Sequence, residues 1–146
     1  MRILIAISLF LSSWFTFAQC EKCTSFEEAF KDPSMVRSIM INSWQSGVSL
    51  DSIPENIGVF ENLEILYLSD HNFNSVPPSL ADLKKLRELS FAGCQFTDVP
   101  EEIFQLTQLN ELILLNNAFS SEKVMELKKR FAEEMPKTKV LINSGE

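Results

Sequence analysis

Histidine is almost missing from this chain: its 146 residues contain one, His71. That excludes paired-histidine metal sites and leaves any catalytic triad dependent on a single residue. Glycine occurs four times and proline six, too few for collagen-like sequence or long disordered linkers. There is no basic run, and 13 Lys+Arg against 20 Asp+Glu give a net charge of −7. Binding to nucleic acid or to an anionic membrane surface is therefore not expected. Cysteine is scarce as well, with Cys20, Cys23 and Cys94 only. What remains is ordinary for one globular domain, 45% hydrophobic and 23% charged. No cofactor and no metal are implied.

The long apolar run is confined to the start. Arg2 supplies a positive flank, and Ile3 to Phe17 is interrupted only by Ser, Thr and small residues. As a helix this run spans about 22 Å, short of a hydrocarbon core of about 30 Å. Thr16 and Ala18 place small residues at −3 and −1 of a signal-peptidase site. The expectation is a signal peptide over 1–18, cleavage after Ala18, an exported (secreted or periplasmic) product and no membrane insertion afterwards. The rival is a cell-surface lipoprotein carrying lipid on Cys20, but Gln19 stands where that signal wants a small residue.

Export changes how the cysteines read. Cys20 and Cys23 have C-x-x-C spacing, and Cys94 stands alone. In an oxidising compartment this spacing reads as a local disulfide stapling a terminus. The alternatives are thiol–disulfide chemistry, whose motif opens a helix after a strand, and metal binding or free thiols. Here no strand is expected before it.

The chain repeats itself under one constant shift, which carries Leu63 onto Leu86 and Leu86 onto Leu109. Leu63-x-x-Leu66-x-Leu68-x-x-His71-x-Phe73-x-x-Val76-Pro77-x-x-Leu80-x-x-Leu83 is followed by a near copy. That copy is Leu86-x-x-Leu89-x-Phe91-x-x-Cys94-x-Phe96-x-x-Val99-Pro100-x-x-Ile103-x-x-Leu106. A third begins Leu109-x-x-Leu112-x-Leu114-x-x-Asn117-x-Phe119. A looser copy precedes them, Val36-x-x-Ile39-x-Ile41 and then Leu50-x-x-Ile53-Pro54-x-x-Ile57-x-x-Phe60, with four extra residues inside Asn42 to Ser49, around Trp44. L-x-x-L-x-L alternates as a strand does, and Phe73, Phe96 and Phe119 fill the interior past the turn. One copy cannot bury its apolar face alone, so the copies stack, their strands forming a parallel sheet and their phenylalanines a ladder.

The ends read differently. Ser25-Phe26-Glu27-Glu28 has capping-box form, with Phe26, Ala29 and Phe30 on one face of a short helix that Pro33 stops. Ser121 to Glu134 reads as a helix with Val124, Leu127, Phe131 and Met135 on one side; Pro136 follows, then a last strand over Val140-Leu141-Ile142. The expected organisation is 1–18 signal peptide, 19–35 N-terminal cap, 36–119 repeats and 120–146 helix-strand cap.

These repeats resemble the leucine-rich repeat family in its 23-residue form. The resemblance covers Val36 to Phe119. It implies an α/β fold, a short right-handed solenoid whose curved parallel sheet lines the concave face, capped by helices at both ends. It also implies a non-enzymatic binding module for other macromolecules, with a protein partner in mind and no catalytic residues. Cysteine is a known substitute in the family's asparagine column, held here by His71, Cys94 and Asn117. Cys94 is accordingly expected as a buried, inert thiol, and His71 as a histidine bonded to backbone carbonyls.

Side chains between the leucines would face the concave side in rows: Ser38, Ile65, Glu88, Glu111; Met40, Tyr67, Ser90, Ile113; Asn42, Ser69, Ala92, Leu115. The candidate binding residues are Met40, Ile65, Tyr67, Glu88, Ser90, Glu111, Ile113 and Leu115, with Trp44 from the insertion. A partner apolar at its centre and basic at its edge would suit them. Trp44 reads in two ways, as an exposed anchor or as a ring folded over the first repeat. The expected product is a monomer.

Overall fold

A computed structural model describes residues 20–144; the expected leader, 1–18, lies outside the described residues. Among those residues, no helix is long and apolar enough to cross a membrane.

Six strands form one sheet in sequence order, every neighbouring pair parallel. They are β1 (Lys22–Cys23), β2 (Ser38–Asn42), β3 (Ile65–Ser69), β4 (Glu88–Ser90), β5 (Glu111–Leu114) and β6 (Lys139–Ile142). Alternation decides the two faces: Ile39, Leu66, Leu89 and Leu112 pair in register and are all 0% exposed. Ahead of them Val36, Leu63, Leu86 and Leu109 are also buried.

The connections cover the core side, and their spacing explains their form. Ile57 and Phe60, Leu80 and Leu83, and Ile103 and Leu106 are each three apart and each buried. A 3-10 turn eclipses residues i and i+3, so both fall inward. The chain accordingly takes 3-10 turns at Ile57–Val59 and Pro78–Asp82, and a single α turn at Glu101–Phe104. The other helices are α1 (Phe26–Ala29), a 3-10 turn at Pro33–Met35, α2 (Ser43–Ser46) and α4 (Ser121–Glu134), the Glu101–Phe104 turn being α3. Ser25 Oγ accepts from the Glu28 N–H at 3.2 Å, one half of the expected capping box.

Three backbone devices lock the register. At the head of successive strands one carbonyl accepts two N–H groups: Glu64 and Ile65 bond Arg37 O, Arg87 and Glu88 bond Glu64 O, and Asn110 and Glu111 bond Arg87 O, at 2.7 to 3.1 Å. Just past the strands, Gly47, Asp70, Gly93 and Asn116 recur once per repeat, all left-handed with φ of 68, 63, 68 and 58°. This position defines the insertion: Asn42 pairs with Ser69, while Gly47 matches Asp70, so the four extra residues are α2. In the asparagine column, Asn117 accepts from Phe96 N at 3.1 Å and donates to Phe91 O at 2.8 Å. His71 reproduces the arrangement, accepting from Leu50 N at Nδ1 (3.2 Å) and donating from Nε2 to Ile41 O (3.1 Å).

The aromatic core differs from the expected ladder of Phe73, Phe96 and Phe119: the ring pairs join Phe73, Phe91 and Phe96. Phe73 and Phe96 lie 5.8 Å apart edge to face, and Phe91 inserts 5.5 Å from each. At the far end Phe104 stacks on Phe131 of α4 at 5.1 Å, with the Arg130 guanidinium 3.6 Å from the Phe104 ring centre.

The N-terminal segment adds a strand that the spacing does not announce: Cys23 belongs to β1 and pairs with Ile39. A two-residue strand carries no periodicity of its own; its pairing is supplied by β2.

Candidate functional site

The open face of the sheet carries two of the three expected rows, and the register extends them; of the third, only Asn42 and Ser69 pair, because β4 ends at Ser90 and β5 at Leu114. Ser38, Ile65, Glu88, Glu111 and Lys139 form one; Met40, Tyr67, Ser90, Ile113 and Leu141 form the other. Lys139 and Leu141 were absent from the expected site; the expected strand over Val140-Leu141-Ile142 included Leu141 but began one residue after Lys139.

Exposure separates these residues. Met40 is 49% exposed, while Ile65, Tyr67, Glu88, Glu111, Ile113 and Leu115 are half-buried. Ser90 is a correction: at 4% exposure it is buried and offers nothing to a partner. Its short side chain lies in a row between Tyr67 and Ile113, whose bulk screens it from water. Ser38, beside Ile65, is buried in the same way.

The polar groups of this face bond largely to one another. Tyr67 donates its hydroxyl to Glu88. Burial first, and then this bond and the neighbouring carboxylates, push the phenol up to about 12. Lys139 reaches Glu111 at 2.6 Å and Arg37 reaches Glu64 at 2.7 Å. The candidate Glu111, and Glu64 at the head of β3, are thus already paired locally.

Trp44 resolves in favour of exposure, at 85%. Its turn, α2, is well tied: Asn42 Oδ1 accepts from Trp44 N at 2.8 Å, Asn42 Nδ2 donates to Asp70 at 3.2 Å, and Gly47 N closes the turn on Ser43 O at 2.9 Å. The indole is therefore presented on a fixed support next to Met40 and Tyr67. Together with Asn42, Gln45 and Ser69 these residues line a hollow of about 490 Å³ in which no residue is charged.

The remaining candidates are structural. Cys94 is buried, its sulfur 3.5 Å from Leu68 O, and burial raises the thiol to about 11, so it stays protonated and unreactive. Burial lowers the pKa of His71 and keeps it neutral. Cys20 and Cys23 lie 5.4 Å apart at Cα, within bridging range. The Glu28 carboxylate comes within 4.8 Å of both sulfurs, but Cys23 is 1% exposed, which leaves an attacking thiol little access.

Residues 62–83 and 85–106 each match the family model of the Leucine Rich Repeat. Among solved structures, a leucine-rich repeat protein of Leptospira interrogans is similar, with 30% identity and a TM-score of 0.62 over 73% of this chain. An internalin of Listeria monocytogenes is similar in fold, with 19% identity and a TM-score of 0.50 over 75% of this chain. The chain spans about a quarter of the length of each, 25% and 27%. No curated protein matches it.

Proposed function

Since this chain is built of leucine-rich repeats stacked into a short solenoid, a class of binding module rather than enzyme, we propose that it binds a protein partner through the open face of its sheet, with Trp44 as the anchor. The observation that carries this reading is the 85% exposed indole on a capped four-residue insertion, beside the 49% exposed Met40. Exposing a tryptophan on a rigid support forfeits its burial on folding but places it ready for burial on binding, as interface hot spots do.

Size supports the involvement of the insertion. Six strands at about 4.8 Å and about 15 Å long give a face of about 360 Å², less than half of the roughly 800 Å² per partner of a standard interface. The α2 turn and its hollow widen that face at the C-terminal ends of the strands. The half-buried Ile65, Tyr67, Ile113 and Leu115 supply the apolar centre.

The same reading includes export and a Cys20–Cys23 disulfide holding β1 beside β2. Intact-mass measurement of the exported chain, with and without reductant, reads cleavage after Ala18, any lipid on Cys20 and the bridge together.

Binding is tested with a partner captured from the envelope and medium of the source cells and then purified. Trp44→Ala, and Tyr67→Ala with Ile113→Ser, should each weaken affinity about fivefold or more; Trp44→Ala should move stability by about 0.5 kcal/mol or less, and the half-buried Tyr67 and Ile113 by about 1 kcal/mol each. Full affinity in the triple variant would place the interface elsewhere.

A further inference from the structure

The N-terminal ends of the strands, at the opposite edge from Trp44, carry a different chemistry. The turns leading into β3, β4 and β5 hold Glu61, Asn62 and Glu64, then Lys84, Lys85 and Arg87, then Thr107, Gln108 and Asn110, at equivalent places in successive repeats. The leucines between them, Leu63, Leu86 and Leu109, are buried alike. The variation is confined to solvent-facing positions: one turn acidic, the next basic, the third neutral. Three of the chain's 13 Lys and Arg residues thus fall within four positions of an acidic protein.

A cavity of about 360 Å³ opens between the basic and the neutral turn, with buried Leu83 and Leu106 among its lining. Its positive charge is not cancelled. Glu64, the one carboxylate in the lining, is held by Arg37 at 2.7 Å. Lys85 Nζ donates to Asn62 Oδ1 at 2.6 Å and Lys84 Nζ to the Ala81 carbonyl at 2.5 Å. Both acceptors are neutral, so each ammonium keeps its charge and its other donors.

Among the described residues no carboxylate lies within ion-pair distance of Lys84, Lys85 or Arg87. Along the strand heads Glu21, Arg37, Glu64 and Arg87 alternate in sign. Arg37 takes both acids, at 3.5 and 2.7 Å, and beyond Arg87 stands the neutral Asn110. The facing wall adds the Thr107 hydroxyl and the Gln108 amide, and Gln108 N–H makes no backbone hydrogen bond among the described residues.

We propose that this cavity binds a tetrahedral oxyanion, a phosphate or sulfate group. The Arg87 fork takes two of its oxygens, Lys84 and Lys85 balance its second charge, and Thr107 and Gln108 donate from the neutral wall. A carboxylate has one charge and two oxygens and leaves part of this donor set unused, which sets the order of preference. The site stands apart from the sheet face and from any partner held there.

The test follows amide chemical shifts of the full chain during titration with sodium phosphate, sodium sulfate and sodium acetate at constant ionic strength, and with a heparin-derived sulfated oligosaccharide. Phosphate or sulfate should give saturable shifts centred on residues 84–87 and 105–109, with acetate weaker. Arg87→Gln, and Lys84→Gln with Lys85→Gln, should each weaken binding about tenfold, while Trp44→Ala leaves it unchanged. Because the three cations are exposed, unchanged melting confirms that these variants are folded. Much tighter binding of the oligosaccharide than of inorganic sulfate identifies a group borne on a chain; equal binding identifies the free ion. The proposal is overturned by an absence of saturable shifts with every probe, by binding that survives Arg87→Gln unaltered, or by acetate binding as tightly as the dianions.

Discussion

Truncating Phe96 should cost this fold a large share of its stability, because the ring belongs to two repeats at once. Phe96 is 1% exposed, edge-on to Phe73 of the preceding repeat at 5.8 Å and stacked on Phe91 of its own at 5.5 Å. Phe96→Ala removes the burial of a full ring and leaves a cavity that rigid strands on either side cannot close. The expected loss is about 3–5 kcal/mol, of which the two ring pairs account for about 0.5–1.5 kcal/mol each. A chain of this size has a total stability of about 6–20 kcal/mol, so melting should fall by about 10–20 °C. Urea unfolding followed by circular dichroism reads the loss directly, with the midpoint lowered and the slope retained. A double-mutant cycle with Phe73→Leu should show coupling of about 0.5 kcal/mol or more. A loss below about 1 kcal/mol, or strict additivity in the cycle, would mean that the rings do not bind the repeats together.

The other predictions use the repeat positions as internal controls. Burial lowers the pKa of His71, so the unfolded chain takes up the proton first, and stability present above the unfolded value of about 6.5 declines as pH falls through it toward the folded one. His71→Asn, installing the amide that Asn117 uses, should flatten urea midpoints between about pH 7.5 and 5.5; an unchanged slope would exclude His71 as its source. Gly93→Ala and Gly47→Ala face the same φ of 68°, but a Cβ at Gly93 would stand 2.2 Å from Asp70 Oδ1 while one at Gly47 meets nothing within 4 Å. The first should lose about 2–3 kcal/mol and the second about 1 kcal/mol in chemical denaturation; equal losses would discount the Asp70 contact. Deleting 121–146 strips Phe131 from Phe104 and bares β5, and should give an aggregating product by light scattering; a monomeric, cooperatively unfolding fragment would show that this segment does not cap the solenoid.

Much of the site was legible because side-chain period and repeat period are both simple. Aligning Leu66, Leu89 and Leu112 also aligns Tyr67, Ser90 and Ile113, and the parallel register pairs those residues. The break in the count confined the four-residue surplus to Asn42 to Ser49, but not to its exact bounds. Those needed the left-handed column of Gly47, Asp70, Gly93 and Asn116, whose members share a backbone conformation rather than a side-chain type.

What the sequence alone determined is whatever depends on spacing: strand order, the inward leucines and phenylalanines, α4 and the outward rows. Local covalent geometry sets those, and the constant repeat period propagates it from copy to copy. Tertiary structure decided the rest. Lys22–Cys23 becomes a strand only because β2 offers it an edge. Ser90 is buried only because Tyr67 and Ile113 flank it, and Glu111 is neutralised only because β6 brings Lys139 to within 2.6 Å. Burial and charge balance at a position are properties of its neighbours across the sheet, and those neighbours lie a whole repeat or more away in the chain.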